Sequence, residues 1–95
     1  MAEPFVPELV FYTRDGCHLC DDARTIVQSV LEDRAAHGRR NPVVRERDIA
    51  TDAAWESRFS TTIPVLEIAG RRLELATSAL KIRQFLNAAL DGTIA

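Results

Sequence analysis

The sequence predicts a single α/β domain, residues 1–95, in which a mixed four-stranded β-sheet is flanked by helices. Segments with the composition of strands alternate with segments in which apolar residues recur at the helical period, in the order β-α-β-α-β-β-α. The first strand–helix–strand unit implies a parallel crossover, whereas the last two strands are close enough in sequence to form a hairpin. A chain of 95 residues is long enough for one domain with its own hydrophobic core.

The first half of the chain contains a strand, a long helix and a second strand. After an extended arm over residues 1–8, Leu9 to Thr13 are nearly all apolar, as expected for a central strand covered on both faces. From Leu19 to Gly38 the apolar residues follow a helical period, and the glycine ends the helix. Its apolar face comprises Leu19, Ala23, Ile26, Val27, Val30 and Leu31. Residues 43–49 alternate weakly and predict a strand near the edge of the sheet.

A short helix and a hairpin follow the second strand. The helix is predicted to begin at Thr51 or Asp52, either of which can cap it, and to continue through Phe59. Residues 65–68 and 71–75 are predicted to be the paired strands of the hairpin, joined by an Ala-Gly turn.

The last helix is predicted to begin after Thr77 or Ser78, which can cap it, and to end at Asp91-Gly92. Its apolar face comprises Ala79, Ile82, Phe85, Leu86, Ala89 and Leu90. This helix completes the set that packs on the sheet.

Composition and charge exclude several classes of function. Apolar residues make up 46% and charged residues 27% of the chain, which excludes a disordered or fibrous protein. The net charge of −2 is spread without blocks, so we expect neither nucleic acid nor a membrane as partner. The longest apolar run, Leu9 to Tyr12, is far shorter than a signal-peptide core or a membrane span. We expect a soluble, cytoplasmic monomer.

The two cysteines of the chain, Cys17 and Cys20, lie directly after the first strand and at the start of the first helix. The unpaired N–H groups and partial positive charge of a helix start favour a thiolate, so we expect a lowered pKa of the Cys17 thiol. Cys20 lies less than one turn further and can attack a mixed disulfide formed at Cys17. The spacing therefore predicts a redox pair, with Cys17 as nucleophile and Cys20 as resolving cysteine.

Two alternatives remain open for the cysteines. A zinc or iron–sulfur site needs about four ligands. Beyond the cysteines, only His18 and His37 are available, and they lie inside the motif and at the far end of the helix. Such a site would need a second chain or a small thiol, and no metal site is expected within one chain. The other alternative is a redox-inert adapter with two buried cysteines.

Two charged side chains near the cysteines have both a functional and a structural interpretation. His18, when protonated, raises the thiolate fraction of Cys17; otherwise it is an exposed residue of the first helical turn. Arg14, three residues before Cys17, either holds an anionic substrate group or is a solvated turn residue.

Two motifs resemble those of glutaredoxin-like members of the thioredoxin superfamily, and in particular small bacterial glutaredoxin-like domains. The first is residues 12–20, Tyr-Thr-Arg-Asp-Gly-Cys-His-Leu-Cys, and the second is residues 62–65, Thr-Ile-Pro-Val, before the hairpin. The resemblance extends over about Leu9 to Leu90 and implies a thioredoxin-like fold.

The resemblance also implies roles for individual residues. Cys17 is expected to be the nucleophilic cysteine and Cys20 the resolving one. Pro64 is expected to follow a cis peptide bond and to pack beside the disulfide. The main-chain groups of Ile63 are expected to pair with an extended thiol substrate, in the manner of an added strand.

The chain departs from the glutaredoxin pattern in two places. His18-Leu19 replaces the Pro-Tyr between the cysteines. The Gly-Gly and acidic residue that bind glutathione after the last strand are replaced by Ala76, Thr77 and Ser78. A helix start with Thr77 and Ser78 can still bind a carboxylate.

The activity that the resemblance implies is thiol–disulfide oxidoreduction, that is, electron transport between dithiols and disulfides. The expected substrates are disulfide-containing proteins or small thiols, and the expected electron donor is glutathione or a reductase. No bound cofactor is expected.

Overall fold

The computed structural model describes residues 6–92 and has the predicted order of elements. The strands and helices are β1 (Glu8–Thr13), α1 (His18–Ala36), β2 (Val43–Asp48), α2 (Ala53–Phe59), β3 (Val65–Ile68), β4 (Arg71–Leu73) and α3 (Ala79–Leu90), with a single 3-10 turn at Ile49–Thr51 before α2. The predicted α/β fold class is confirmed. Of the arm predicted over residues 1–8, residues 1–5 lie outside the described part of the chain.

The four strands form one mixed sheet in the order β2-β1-β3-β4. β1 pairs in parallel with β2 and antiparallel with β3, and β3 pairs antiparallel with β4. β2 is therefore an edge strand, as predicted. The carboxyl ends of β1 and β4 and the amino end of β3 all lie at the same end of the sheet, which we call the loop end.

Both faces of β1 are covered, as the apolar run predicted. Leu9 and Phe11 belong to a core that includes buried residues of α1 and α3. Tyr12 belongs to a second core that includes Ile49 and Phe59. Successive side chains of a strand point to opposite faces, so this alternation places α1 and α3 on one face and α2 on the other. Of the helices that the structure describes in residues 6–92, none has the length and apolar composition of a membrane-spanning segment.

The hairpin is shorter than predicted. β4 ends at Leu73 instead of residue 75, because Leu75 adopts a positive φ of 50° that breaks the strand. The N–H groups of Leu75 and Ala76 donate instead to the carbonyls of Thr62 and Pro64, both at 2.8 Å. The segment after β4 is thereby attached to the segment before β3, at the loop end of the sheet.

At the start of α1 and of α3, one residue that was predicted to belong to the apolar face is exposed instead of buried. Leu19 is 49% exposed, because the buried residue of that turn is Cys20. Ala79 is also exposed at the start of α3. β2 ends one residue earlier than predicted, since Ile49 begins the 3-10 turn.

A buried charge joins the far ends of α1 and α3. The Arg34 side chain is 2% exposed, and its guanidinium donates to Asp91 at 2.7 Å, to Asn87 at 2.6 Å and to the Arg40 carbonyl at 2.7 Å. The hydrogen bonds from Arg34 lower the pKa of Asp91 below its usual range. The anionic partner, Asp91, lies 57 positions from Arg34, so nothing local in the sequence predicts the burial of this charge.

We expect the Asp91→Asn substitution to lower the free energy of unfolding by about 1–3 kcal/mol at pH 7, because it leaves the buried Arg34 without its anionic partner. Since the folded-state pKa of Asp91 is lowered, the stabilisation is complete above the unfolded aspartate value of about 3.9 and is lost as the pH falls through the lowered pKa. The difference in the free energy of unfolding between wild type and variant should therefore decrease as the pH falls. Urea unfolding at several pH values measures it.

The matched control is Asp33→Asn. Asp33 pairs with Arg83 on the same two helices, but the side chains are 49% and 44% exposed. We expect a loss below about 1 kcal/mol from this exposed pair. Equal losses for Asp33→Asn and Asp91→Asn would contradict the role assigned to burial.

Candidate functional site

Cys17 and Cys20 form a disulfide at the loop end of the sheet, where β1 leads into α1. Their Cα atoms are 5.2 Å apart. Cys17 is the N-cap of α1, with extended backbone angles of φ −92° and ψ 105°. Its Sγ accepts a hydrogen bond from the Cys20 N–H at 3.1 Å. The two sulfurs therefore lie together at a helix start, as the sequence predicted.

The two cysteines differ in exposure. Cys20 is completely buried, at 0%, whereas Cys17 is half-buried. A molecule that approaches from solvent therefore meets Cys17 first. The preceding turn holds Cys17 in place, because its N–H donates to the Arg14 carbonyl at 3.3 Å and Gly16 supplies the positive φ of 77° that the turn requires.

The segment before β3 lies at the same end of the sheet. The Ile63–Pro64 peptide bond is cis, as the resemblance implied. The N–H of Ile63 donates to the Phe59 carbonyl at 3.1 Å, at the end of α2. The N–H of Ile63 thus has a partner within the chain, and the pairing of its main-chain groups with a substrate stays a prediction. The Ile63 carbonyl is not among the acceptors of the loop hydrogen bonds in residues 6–92.

Thr77 and Ser78 lie at the start of α3, also at the loop end. The Ser78 side chain caps the helix by accepting from the Lys81 N–H at 3.2 Å. The Thr77 N–H donates to the Leu75 carbonyl at 2.8 Å, and the Ala76 N–H donates to Pro64. The backbone N–H groups of Ala76 and Thr77 are thus engaged within the chain.

Arg14 and His18 differ in their surroundings. The Arg14 guanidinium forms an ion pair with Glu56 of α2, and the two side chains are 38% and 42% exposed. His18 is exposed at the first residue of α1. Arg14 is therefore not simply a solvated turn residue. Sequence reasoning did not identify Glu56, because the two partners are 42 positions apart and no local pattern connects them.

Three large apolar side chains at the loop end are exposed. They are Leu19 at 49%, Leu75 at 53% and Leu80 at 65%. Leu19 lies between the cysteines, Leu75 lies in the segment bonded to Thr62, and Leu80 lies in the first turn of α3. Sequence periodicity assigned Leu19 to the core and left Leu80 off the apolar face of the last helix, and Leu75 was predicted to lie in a strand.

No potential metal site of a single chain is found in the described residues, since no three His, Cys, Asp or Glu side chains of residues 6–92 are grouped as ligands.

Comparisons with known proteins agree with this arrangement. The family model described as "Glutaredoxin-like domain (DUF836)" matches residues 8–90. The X-ray structure of a structural-genomics target protein from X. campestris is 33% identical, with a TM-score of 0.69, and the match covers 85% of this chain and 97% of that one. The structure of a malarial protein, 11% identical with a TM-score of 0.63 over 90% and 99% of the two chains, is similar in fold alone. No curated protein matches this chain.

Proposed function

Because this chain belongs to the family of glutaredoxin-like domains, we propose that it is a thiol–disulfide oxidoreductase whose reactive group is the Cys17–Cys20 pair. The observation that supports the proposal most directly is the asymmetry of the disulfide. Cys17 is half-buried at the N-cap of α1, and Cys20, less than one turn further, is completely buried. Exchange chemistry needs one accessible attacking sulfur and one protected resolving sulfur.

The position of the disulfide argues against a purely structural role. Stabilisation by a disulfide rises with the length of the loop that it closes. This one joins residues three apart, inside the first turn of a helix, and therefore restricts the unfolded chain very little. A redox role explains the pair better than a contribution to stability.

The proposed reaction transfers two electrons from the reduced pair to a substrate disulfide. The Cys17 thiolate attacks one substrate sulfur, the substrate S–S bond breaks, and the other substrate sulfur leaves as a thiolate. The Cys20 thiolate then attacks Cys17 Sγ, releases the second substrate thiolate and forms the Cys17–Cys20 disulfide. A dithiol donor then reduces the pair again.

Two features of the site favour the first step. The Cys20 N–H donates to Cys17 Sγ, and the N-terminus of α1 adds partial positive charge. Both stabilise negative charge on Cys17, which is the state that attacks. Burial of Cys20 keeps it from reacting with other oxidants before the mixed disulfide has formed.

The electron donor that the site favours is a dithiol or a protein reductase, with glutathione less suitable. Glutathione has two carboxylates, and the groups expected to bind them are Arg14 and the turn at Thr77 and Ser78. Arg14 is paired with Glu56, and the Thr77 N–H is bonded to Leu75. The exposed leucines at the loop end are instead suited to an apolar polypeptide segment beside a disulfide.

We expect Cys17→Ser to abolish disulfide reduction, and Cys20→Ser to form a stable mixed disulfide that it cannot release by the dithiol route. The reason is that the accessible sulfur attacks and the buried sulfur resolves. Mass spectrometry of each reduced variant after incubation with a disulfide-containing peptide measures the adduct. The reverse result, an adduct on Cys17→Ser and none on Cys20→Ser, would exchange the two roles.

We expect glutathione to reduce the oxidised protein poorly. Two missing backbone hydrogen bonds to a carboxylate cost on the order of 2–4 kcal/mol, which corresponds to a complex weaker by about 30- to 1000-fold. Stopped-flow reduction by glutathione, with an authentic glutaredoxin measured in parallel, tests this expectation. Equal rates for the two proteins, or a crystal complex with a glutathione carboxylate at Ser78, would contradict it.

A further inference from the structure

We propose that Glu56 determines the charge preference of the redox pair, because it holds Arg14, whose backbone forms the turn before Cys17, in an internal ion pair and so withdraws that cation from anionic thiols. This inference rests on the proposed thiol–disulfide exchange and concerns its substrate class. The site is expected to disfavour small anionic thiols such as glutathione and to accept neutral thiols and neutral segments of polypeptides.

Arg14 is the cation whose position relative to Cys17 is best defined. Its carbonyl accepts the Cys17 N–H at 3.3 Å, so the backbone of Arg14 is part of the turn that presents the nucleophilic sulfur. The Arg14 side chain extends to Glu56 on α2, which covers the opposite face of the sheet from α1. A substrate anion at Cys17 would need this guanidinium to leave Glu56.

The environment of Glu56 favours the intact pair. Oε1 of Glu56 accepts from Arg14, while Oε2 is buried and has no hydrogen-bond partner among the described residues. Removal of Arg14 would leave a carboxylate that is partly desolvated and has no other cation bonded to it in residues 6–92. An incoming anion must therefore compete with a carboxylate that itself needs the guanidinium.

The rest of the charge around the start of α1 also disfavours anions. Asp15 precedes Cys17 in the turn, and Asp21 and Asp22 follow Cys20, all of them exposed. Arg24 pairs with Asp21 but also with Glu46 of β2. With Arg14 paired to Glu56, these exposed carboxylates add repulsion toward an anionic thiol that approaches Cys17.

The test compares two monothiols that differ in charge. In each case the thiolate attacks the Cys17–Cys20 disulfide, forms a mixed disulfide and releases one protein thiolate; a second thiol then gives the small-molecule disulfide and the protein dithiol. Stopped-flow rates are measured with glutathione, which carries two carboxylates, and with 2-mercaptoethanol, which is neutral. Because both thiols attack the same disulfide, a change in the reactivity of the disulfide itself alters both rates equally and cancels in their ratio.

We expect Glu56→Gln to raise the glutathione rate about two- to fivefold at low salt, the range of a partly exposed ion pair, and to leave the 2-mercaptoethanol rate within about 1.5-fold. The gain should fall as salt screens the freed charge. Addition of Arg14→Met to Glu56→Gln should return the glutathione rate to the wild-type value. If Glu56→Gln fails to fold, as judged by circular dichroism, Glu56→Ala removes the same charge and is expected to give the same gain.

The matched control is Glu46→Gln, which removes one negative charge from a residue of similar exposure, 44%, that is paired with Arg24 instead of Arg14. It should leave the ratio of the rates unchanged. The inference is overturned if Glu46→Gln gives the same gain, if both thiols gain equally in Glu56→Gln, or if the gain persists in the double variant.

The proposed function is tested separately, by turnover of a peptide disulfide with a dithiol donor in the wild-type protein. No turnover there would contradict the function. Normal turnover with an unchanged ratio in Glu56→Gln would contradict this inference alone.

Discussion

The antiparallel pairing of β1 with β3 is the constraint on which the candidate site depends. β1 is the central strand, and its side chains are buried on both faces, so its register relative to β3 is set by the core: Tyr12 lies opposite Val65, and Phe11 lies opposite Leu66. Because the two strands run in opposite directions, the turn that leaves β1 and the segment that enters β3 meet at the same end of the sheet. The cysteines on one and Pro64 on the other share that end for this reason.

The pairing of β3 with β4 extends the same arrangement to a third segment. After β4 the chain leaves the sheet, and Leu75 and Ala76 donate to the carbonyls of the segment before β3. These hydrogen bonds hold the segment before α3 against the cis peptide bond. The pairing of β3 with its two neighbours therefore brings all three segments of the candidate site to one end of the sheet.

Sequence reasoning succeeded where the cause of a feature is local. Three features depend on neighbours within a few residues: the apolar run of β1, the helical period of α1 and the spacing of the cysteines. The strand, the helix and the cysteine pair that these features predicted are all present. Leu19 was assigned wrongly because periodicity alone cannot show that Cys20 takes the buried place in the first turn. The pairing of Arg14 with Glu56 could not be predicted, since their contact depends on how α2 packs on the sheet.

The proposed function requires that Cys17 and Cys20 exchange reversibly between dithiol and disulfide in the folded protein. A redox titration in buffers of reduced and oxidised dithiothreitol, with the free thiols trapped and counted by mass spectrometry, tests it most directly. We expect one reversible two-electron transition, with the circular dichroism of the fold unchanged throughout. Its midpoint should lie above about −300 mV, since structural disulfides typically have lower potentials. A disulfide that can be reduced only when the protein unfolds, or thiols that do not re-form it on oxidation, would contradict the proposed function.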